Sequence, residues 1–204
     1  LVMAYAFLKA AGLDGNIGTV TVDLAGPATA TDGHRVLSSA NGKVEIESAR
    51  YPFCFLGSEK EPAGTRSILP FVPFNRDLNR FLLVVKNLSA PTAVVTWGTA
   101  AKTFSKADLE AGVNLAEAFL DNPFVEPFSQ LDRIVAEKQN RETLAIKGVI
   151  TNFRSLKAEF EGDAEVAGAI DTLRRKLEQR NAQDAARARA AVKPVRHTIQ
   201  IAPK

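Results

Sequence analysis

The chain has 204 residues, 46% of them hydrophobic and 24% charged, with a formal net charge of +3. This is the composition of an ordinary globular protein, long enough for one or two domains with a real core, and the small charge does not demand a nucleic-acid partner. Cys54 is the single cysteine, which excludes an intrachain disulfide and a cysteine zinc site, and no segment reaches the ~18 apolar residues of a membrane span.

Leu1–Ala11 (LVMAYAFLKAA) is apolar almost all round and predicts a buried helix, ended by Gly12 and Asp14-Gly15. No Ser, Thr, Asp or Asn caps its start and no initiator Met precedes it, so the expectation is that residues are missing upstream. From Ile17 to Leu24, Val20, Val22 and Leu24 alternate with Thr19, Thr21 and Asp23, the pattern of a half-buried strand. A further strand is expected within Thr29–Ser38. Asn41-Gly42 then makes a hairpin turn, because both residues accept positive φ, and Lys43–Ser48 returns with Val44 and Ile46 inward. Arg50–Leu56 reads as a more continuous apolar strand. Gly57–Ser67, with Pro62 and Gly64, reads as a surface loop. Ile68–Phe74 carries two prolines and is expected at an edge or in an extended packing segment.

The stretch Arg80–Asn122 is the expected scaffold. Phe81–Lys86 and Ala93–Trp97 read as neighbouring strands joined by the short loop Asn87–Thr92. After a third piece beyond Gly98, Ser105 is placed to cap a short helical turn at the amide of Asp108, and Gly112 to close it. From Phe124 to Leu156 the apolar spacing is helical, with Pro127 in the first turn. Glu161-Gly162 breaks it. Asp163 caps a second helix through Val166, Ile170, Leu173 and Leu177, which Pro194 stops. The two helices, each about 28 residues or roughly 40 Å long, are expected to form an antiparallel hairpin. Val195, His197, Ile199 and Ile201 then alternate as a last strand that returns to the β-rich part.

Several residues invite a chemical reading. Asp32 and His34, in Thr31-Asp32-Gly33-His34, resemble an acid–base pair, but Asp-Gly also marks a turn, and a general base needs a positioned partner. His197 falls on the apolar face of the last strand, where a hydrogen-bonded core histidine is expected. Cys54 lies among large apolar side chains and reads as a buried, inert thiol rather than half of a Cys–His dyad. Gly57-Ser58 lacks the strand that would position a nucleophile, and no Gly-x-Ser-x-Gly elbow occurs. Trp97, with Tyr51 and the phenylalanines, could stack on a sugar; the competing reading is a core aromatic.

Arg174, Arg175, Arg180, Arg187, Arg189 and Lys193 could meet phosphates, but they share no single stripe, so nucleic-acid binding is not expected. From Asp171 onward there are nine Lys/Arg against three Asp/Glu, a net +6 that leaves −3 on the rest. A solvated helix face is the plainer reading, contact with an acidic partner or membrane surface the other. The residues thus assign no catalytic, cofactor-binding or metal-binding role.

A resemblance says more. The runs LVMAYAFLKAAGLDGNIGTVTVDLA, ATDGHRV, ESARYPFCF, ILPFVPFNRDLNRFLLVV, VTWG, LEAGVNLAEAF and PVRHTIQI, taken as a set, resemble the C-terminal part of a group of bacterial, planctomycete-like SGNH (GDSL-type) hydrolases. The resemblance implies a catalytic α/β sandwich upstream, whose Gly-Asp-Ser block, oxyanion-hole Gly and Asn, and Asp-x-x-His block are all missing from this chain. It implies a serine esterase or acyl-hydrolase as the parent, with acetylated carbohydrate among its possible substrates, and relatives of this kind look exported.

The chain is accordingly expected to be α+β, with a β-rich, sandwich-like accessory region and a long antiparallel helical hairpin. Residues 1–14 would be the closing helix of the truncated hydrolase domain, 15–125 the β-rich region, 126–193 the hairpin and 194–204 the returning strand. The expected partners are the missing hydrolase domain, packed on Leu1–Leu13, and a possible second copy in a homo-oligomer. The alternative is a non-enzymatic interaction or carbohydrate-binding module.

Overall fold

The computed structural model describes residues 1–61 and 64–204. In chain order the elements are α1 (Val2–Ala10), β1 (Asn16–Asp23), β2 (Thr29–Ala30), β3 (His34–Ala40), β4 (Lys43–Ser48), α2 (Phe74–Leu78), β5 (Arg80–Lys86), β6 (Thr92–Trp97), β7 (Ala100–Ser105), α3 (Lys106–Ala111), β8 (Val113–Asn114), α4 (Leu115–Ala118), α5 (Val125–Thr143), α6 (Thr151–Glu159), α7 (Ala164–Ala191) and β9 (Val195–Pro203). The fold is α+β and rich in strand. Residues 1–129 with 194–204 form one compact unit, and residues 130–193 form another.

In the first unit, one sheet has the order β2-β1-β5-β8 and the other β3-β4-β9-β6-β7. The parallel pair β1–β5 organises the first sheet; the second is antiparallel throughout. Period-two alternation decides what each strand buries. Val20 and Val22 of β1 and Phe81, Leu83 and Val85 of β5 enter the same core as Val44 and Ile46 of β4, Val95 and Trp97 of β6, and Ile199 and Ile201 of β9. Each such side chain contributes about 1.5–3 kcal/mol when fully buried. The β3–β4 hairpin turns at Asn41 and Gly42, with φ of 50° and 72°. The Ser105 hydroxyl accepts the Asp108 amide at the start of α3, and Gly112 ends that helix.

Four expectations for this unit need correction. β5 and β6 are not neighbours. β5 pairs with β1 and β8, whereas β6 pairs with β7 and β9 in the other sheet. The connection turns at Asn87 (φ 59°), buries Leu88, and carries the chain between layers.

Arg50–Leu56 forms no strand. The Phe53 backbone pairs instead with a side chain: its N–H donates to Asn79 Oδ1 (2.8 Å) and its carbonyl accepts from Asn79 Nδ2 (2.9 Å). Asn79 is fully buried and also donates to Asn75, while Asn114 donates to the carbonyls of Asn75 and Asn79. Amide side chains hold this segment where a strand ladder would otherwise be needed.

The run Ile68–Phe74 is turn rather than extended edge, because a 3₁₀ turn occupies Thr65–Ile68 and α2 begins at Phe74. That 3₁₀ turn also ends the expected Gly57–Ser67 loop, whose Pro62 lies outside the described residues.

Finally, α1 buries none of its residues. Tyr5 and Leu8 pack against the small cluster of Phe55, Phe74 and Leu78, while the rest of its apolar surface faces outward.

In the second unit, Asp163 caps α7 by accepting the amides of Glu165 and Val166, and α7 runs for 28 residues. The arm before it is not one regular helix, because Leu144–Ile150 is π-helical between α5 and α6. The wider turn displaces carbonyls from their usual partners. The Thr151 hydroxyl donates to Ile146 O (2.7 Å) and Asn152 Nδ2 to Gly148 O (2.8 Å). Arg141 grips Asp184 through two hydrogen bonds of 2.7 and 2.8 Å, and Arg187 reaches Glu137 at 2.8 Å. These pairs set the two arms side by side and antiparallel. Phe153 and Ile170 are the buried apolar side chains of this unit.

Candidate functional site

Both histidines belong to one buried chain of hydrogen bonds. His34 opens β3, His197 lies in β9, and Ser48 at the end of β4 stands between them. Ser48 Oγ is 2.8 Å from His34 Nδ1 and 2.9 Å from His197 Nε2. Trp97 Nε1 is 3.1 Å from His197 Nδ1, and His34 Nε2 is 3.0 Å from the Ile17 carbonyl.

With both rings neutral, the two ends fix every proton. An indole N–H can only donate, so His197 Nδ1 accepts and its ring proton sits on Nε2, which donates to Ser48. A carbonyl can only accept, so His34 Nε2 donates and its Nδ1 accepts the Ser48 hydroxyl. Both rings are neutral in this arrangement. Burial favours that state, pushing His197 down to about 4 and lowering His34 from the ordinary imidazole value. Phe81 stacks on His34, with ring centroids 4.8 Å apart, and Phe124 lies 5.0 Å from His197.

A serine hydroxyl aimed at an imidazole nitrogen has the form of an activated nucleophile. Here it is closed. Ser48 is 0% exposed, and both of its neighbours are buried, so no carbonyl carbon can approach the oxygen. The chain links β3, β4, β9 and β6 of one sheet to β1 of the other, and its role is structural. The sequence signal for it was present, since Ser48 continues the inward series Val44, Ile46, but a serine there carries no obvious partner until the fold supplies two.

The remaining candidates separate. Asp32 is exposed on the turn while His34 points inward to Ser48 and Ile17, so they form no acid–base pair. Cys54 is 2% exposed, and burial raises its thiol to about 12, far from a nucleophilic thiolate. Ser58 is exposed in its loop. Trp97 is fully buried, with Phe81, Phe119, Phe124 and His197 around it. The sugar-stacking reading of Trp97 is therefore overturned, because the ring has no face to offer. Tyr51 lies edge-on to Phe124.

Among the basic residues, Arg174 lies by Asp171 and Glu178, Arg180 by Asp184, and Arg187 by Glu137. Arg175 donates to Thr172. Arg189 is exposed near the end of α7, and Lys193 follows that helix. Among the described residues, no group of three His, Cys, Asp or Glu side chains is placed to hold a metal, and no helix is long and apolar enough to cross a membrane.

The surface feature that remains is α1. Met3 and Phe7 are 72% and 68% exposed, and Leu13 just beyond the helix is 51% exposed. The opposite side is tethered. The Tyr5 hydroxyl donates to Asp77 (2.7 Å), and Lys9 lies 3.5 Å from the same carboxylate. Foremost the Tyr5 hydrogen bond, then the hydrogen bond from Arg76 and the charge of Lys9, hold Asp77 down at about 2. The helix is docked on one side and apolar on the other.

No protein-family model and no curated protein matches the chain. Among solved structures, a gut microbial diltiazem-metabolizing enzyme shares its fold. The TM-score is 0.65 at 18% identity, over 100% of this chain and 53% of that one. This chain spans about half the length of that enzyme, and the likeness is one of fold.

Proposed function

We propose that this chain is the C-terminal accessory portion of an SGNH-type serine esterase or acyl-hydrolase, a scaffold that brings none of the catalytic groups itself. The observation that carries the reading is that the whole chain aligns with about half of a larger diltiazem-metabolizing enzyme. The set of sequence runs that resembles the region after the last catalytic block of SGNH hydrolases supports it. So does α1, which with Leu13 just beyond it presents Met3 and Phe7 where a preceding domain would cover them. The serine, its histidine base and the oxyanion hole would lie upstream, acting on carboxylic esters with acetylated carbohydrate among them. Ser48, closed between its histidines, takes no part.

The test is intact mass after incubation with a fluorophosphonate probe. The 22.0 kDa chain should stay unmodified. A longer protein that contains it should gain one adduct, on a serine outside these residues, and should hydrolyse p-nitrophenyl acetate. An adduct on this chain, or none on the longer protein, overturns the reading. A second reading, a non-enzymatic self-association module, draws on the same exposed face of α1, and predicts a chain active in no esterase assay in either form.

A further inference from the structure

The helical unit buries little of its own apolar surface. Phe153 and Ile170 are its buried apolar side chains, whereas Leu144, Leu156, Phe160 and Leu173 are exposed, Leu144 by 69%. Spacing places these four on one side of the hairpin. Leu156 and Phe160 are four apart and share a helix face. Leu144 stands twelve positions before Leu156, which in an α-helix would turn it about 120° away. The π-helical segment Leu144–Ile150 winds an extra residue into its turn, and this brings Leu144 back into line. On α7, Leu173, Arg180 and Arg187 repeat at intervals of seven and form one stripe. Glu137 precedes Leu144 by seven as well, and its ion pair with Arg187 at 2.8 Å ties the two stripes to the same side.

Charge changes sign along the hairpin. Around its turn, residues 155–170 carry Lys157 against Glu159, Glu161, Asp163 and Glu165, a net −3. Residues 171–193 carry seven Lys/Arg against three Asp/Glu, a net +4, and residues 130–147 carry four against three. A second hairpin laid antiparallel on the same face meets this polarity with its inverse. With a two-fold axis beside Leu173, that side chain packs on its own copy. Glu165, eight positions before Leu173, then comes beside Arg180, seven positions after it. On the other arm, Leu144 of one copy comes against Leu156 and Phe160 of the second. The overlap runs from the turn at Gly162 to the level of Asp184, about 33 Å by about 20 Å for two helices side by side. That is roughly 650 Å² from each copy, and the total of about 1,300 Å² falls within the 1,200–2,000 Å² of stable interfaces.

We propose that this face pairs two copies of the chain, their hairpins forming an antiparallel four-helix bundle about a two-fold axis beside Leu173. The π-helical turn has a part in it, since it sets Leu144 on the shared face. The inference is independent of the reading of the chain as part of an esterase. The readout is the mass of the full chain in sedimentation equilibrium, carried on Met3→Lys with Phe7→Lys so that α1 adds nothing.

That chain should be a dimer, and the dimer should weaken as salt rises. Leu144→Lys with Leu173→Lys should make it a monomer, with helix content unchanged by circular dichroism because both side chains are exposed. Ile146→Lys, two positions off the stripe, should leave the dimer intact. Glu165→Arg and Arg180→Glu should each weaken pairing roughly tenfold. An equimolar mixture of these two variants should recover the original mass, because each copy then supplies the charge that the other lacks. Should the double lysine variant lose helix, the charge exchange decides alone. A monomer at every concentration overturns the proposal. So does a dimer indifferent to the lysines at 144 and 173, or a mixture that fails to recover, either of which would give this face to a different partner.

Discussion

Trp97 donates its indole proton to Nδ1 of His197 across 3.1 Å, and this bond polarises the whole buried chain from β6 to Ile17. Protonating His197 at Nδ1 would set a donor against a donor. The ring therefore stays neutral in the folded state, with its pKa near 4 against 6.5 for a free imidazole. Between those values the unfolded chain binds a proton that the folded chain refuses, so stability must fall as pH falls from 6.5 to 4. The loss is about 1.4 kcal/mol per pH unit, or about 3 kcal/mol over the window. His34 is shifted in the same direction and adds to the effect. Asp77, held down at about 2, titrates below this window and does not mask it. Urea unfolding at pH 7.5 and 4.5 should show the drop in the wild type and a smaller one in His197→Gln. A flat profile would show that the histidines can charge in place.

The direction of the proton chain also ranks two substitutions. Ser48→Ala removes an acceptor from His197 and a donor from His34, leaving two buried ring nitrogens unpaired. Trp97→Phe leaves one, His197 Nδ1. Each orphaned group costs about 1–3 kcal/mol, so in this network Ser48→Ala should be the more damaging, although Trp97→Phe also loses indole packing. Thermal unfolding of the two variants checks the order. Imidazole nitrogen chemical shifts should meanwhile report the Nε2–H tautomer at both histidines in the wild type.

Asn79 offers a third test, because its amide stands in for a neighbouring strand. Asn79→Ala would strip both backbone bonds from Phe53 and the bond to Asn75 in a fully buried setting. A loss of about 2–4 kcal/mol is expected from the orphaned backbone groups. Asn79→Asp should fare little better, since the carboxylate can accept from Phe53 N–H but cannot donate to its carbonyl. Urea midpoints for both variants decide the matter.

Gly15 and Gly12 make a controlled pair. Both have positive φ, 68° and 76°. A Cβ at Gly15 would lie 2.3 Å from Asp77 O and Leu78 Cα, both backbone atoms, whereas one at Gly12 meets nothing within 4 Å. Gly12→Ala should cost only the left-handed strain, about 1 kcal/mol. Gly15→Ala adds a clash with a neighbour that cannot rotate away, and should cost about 3 kcal/mol or more. Equal midpoints would mean that the approach of α2 to this turn is looser than it looks.

What could be read from the sequence was local chemistry. The Asn41-Gly42 turn, the Ser105–Asp108 cap, the Gly112 stop and the Asp163 cap each depend on a few adjacent residues, and each stands where its residues put it. What could not be read was partnership at a distance. Phe81–Lys86 and Ala93–Trp97 alternate in the same way and are separated by a loop short enough for a hairpin, and nothing in either run says that their partners are β1 and β9. Arg50–Leu56 carries the apolar density of a strand, but the group that pairs with Phe53 is a side chain 26 positions away. The site candidates failed for the same reason. Asp32 and His34 are close in sequence and face opposite ways, whereas Ser48 and His197 are 149 positions apart and in contact.

The outward face of α1 yields the last prediction. The helix stays docked because Tyr5 and Lys9 hold Asp77 and because Tyr5 and Leu8 pack at the Phe55 cluster. Met3 and Phe7 face solvent while it does so. Exposed apolar groups on a fixed helix favour association with another apolar surface. The isolated chain should therefore show concentration-dependent mass in sedimentation equilibrium. Met3→Lys with Phe7→Lys should remove this association and leave the hairpin-paired dimer, with unfolding free energy changed by less than about 0.5 kcal/mol because neither side chain is buried. Asp77 keeps its charge down to about pH 2, so the dock persists and association should survive acidification from pH 7 to 5, where the wild type is still folded. A wild-type chain that stays monomeric at every concentration would mean that this face needs no cover, and would remove α1 from the support for an upstream domain.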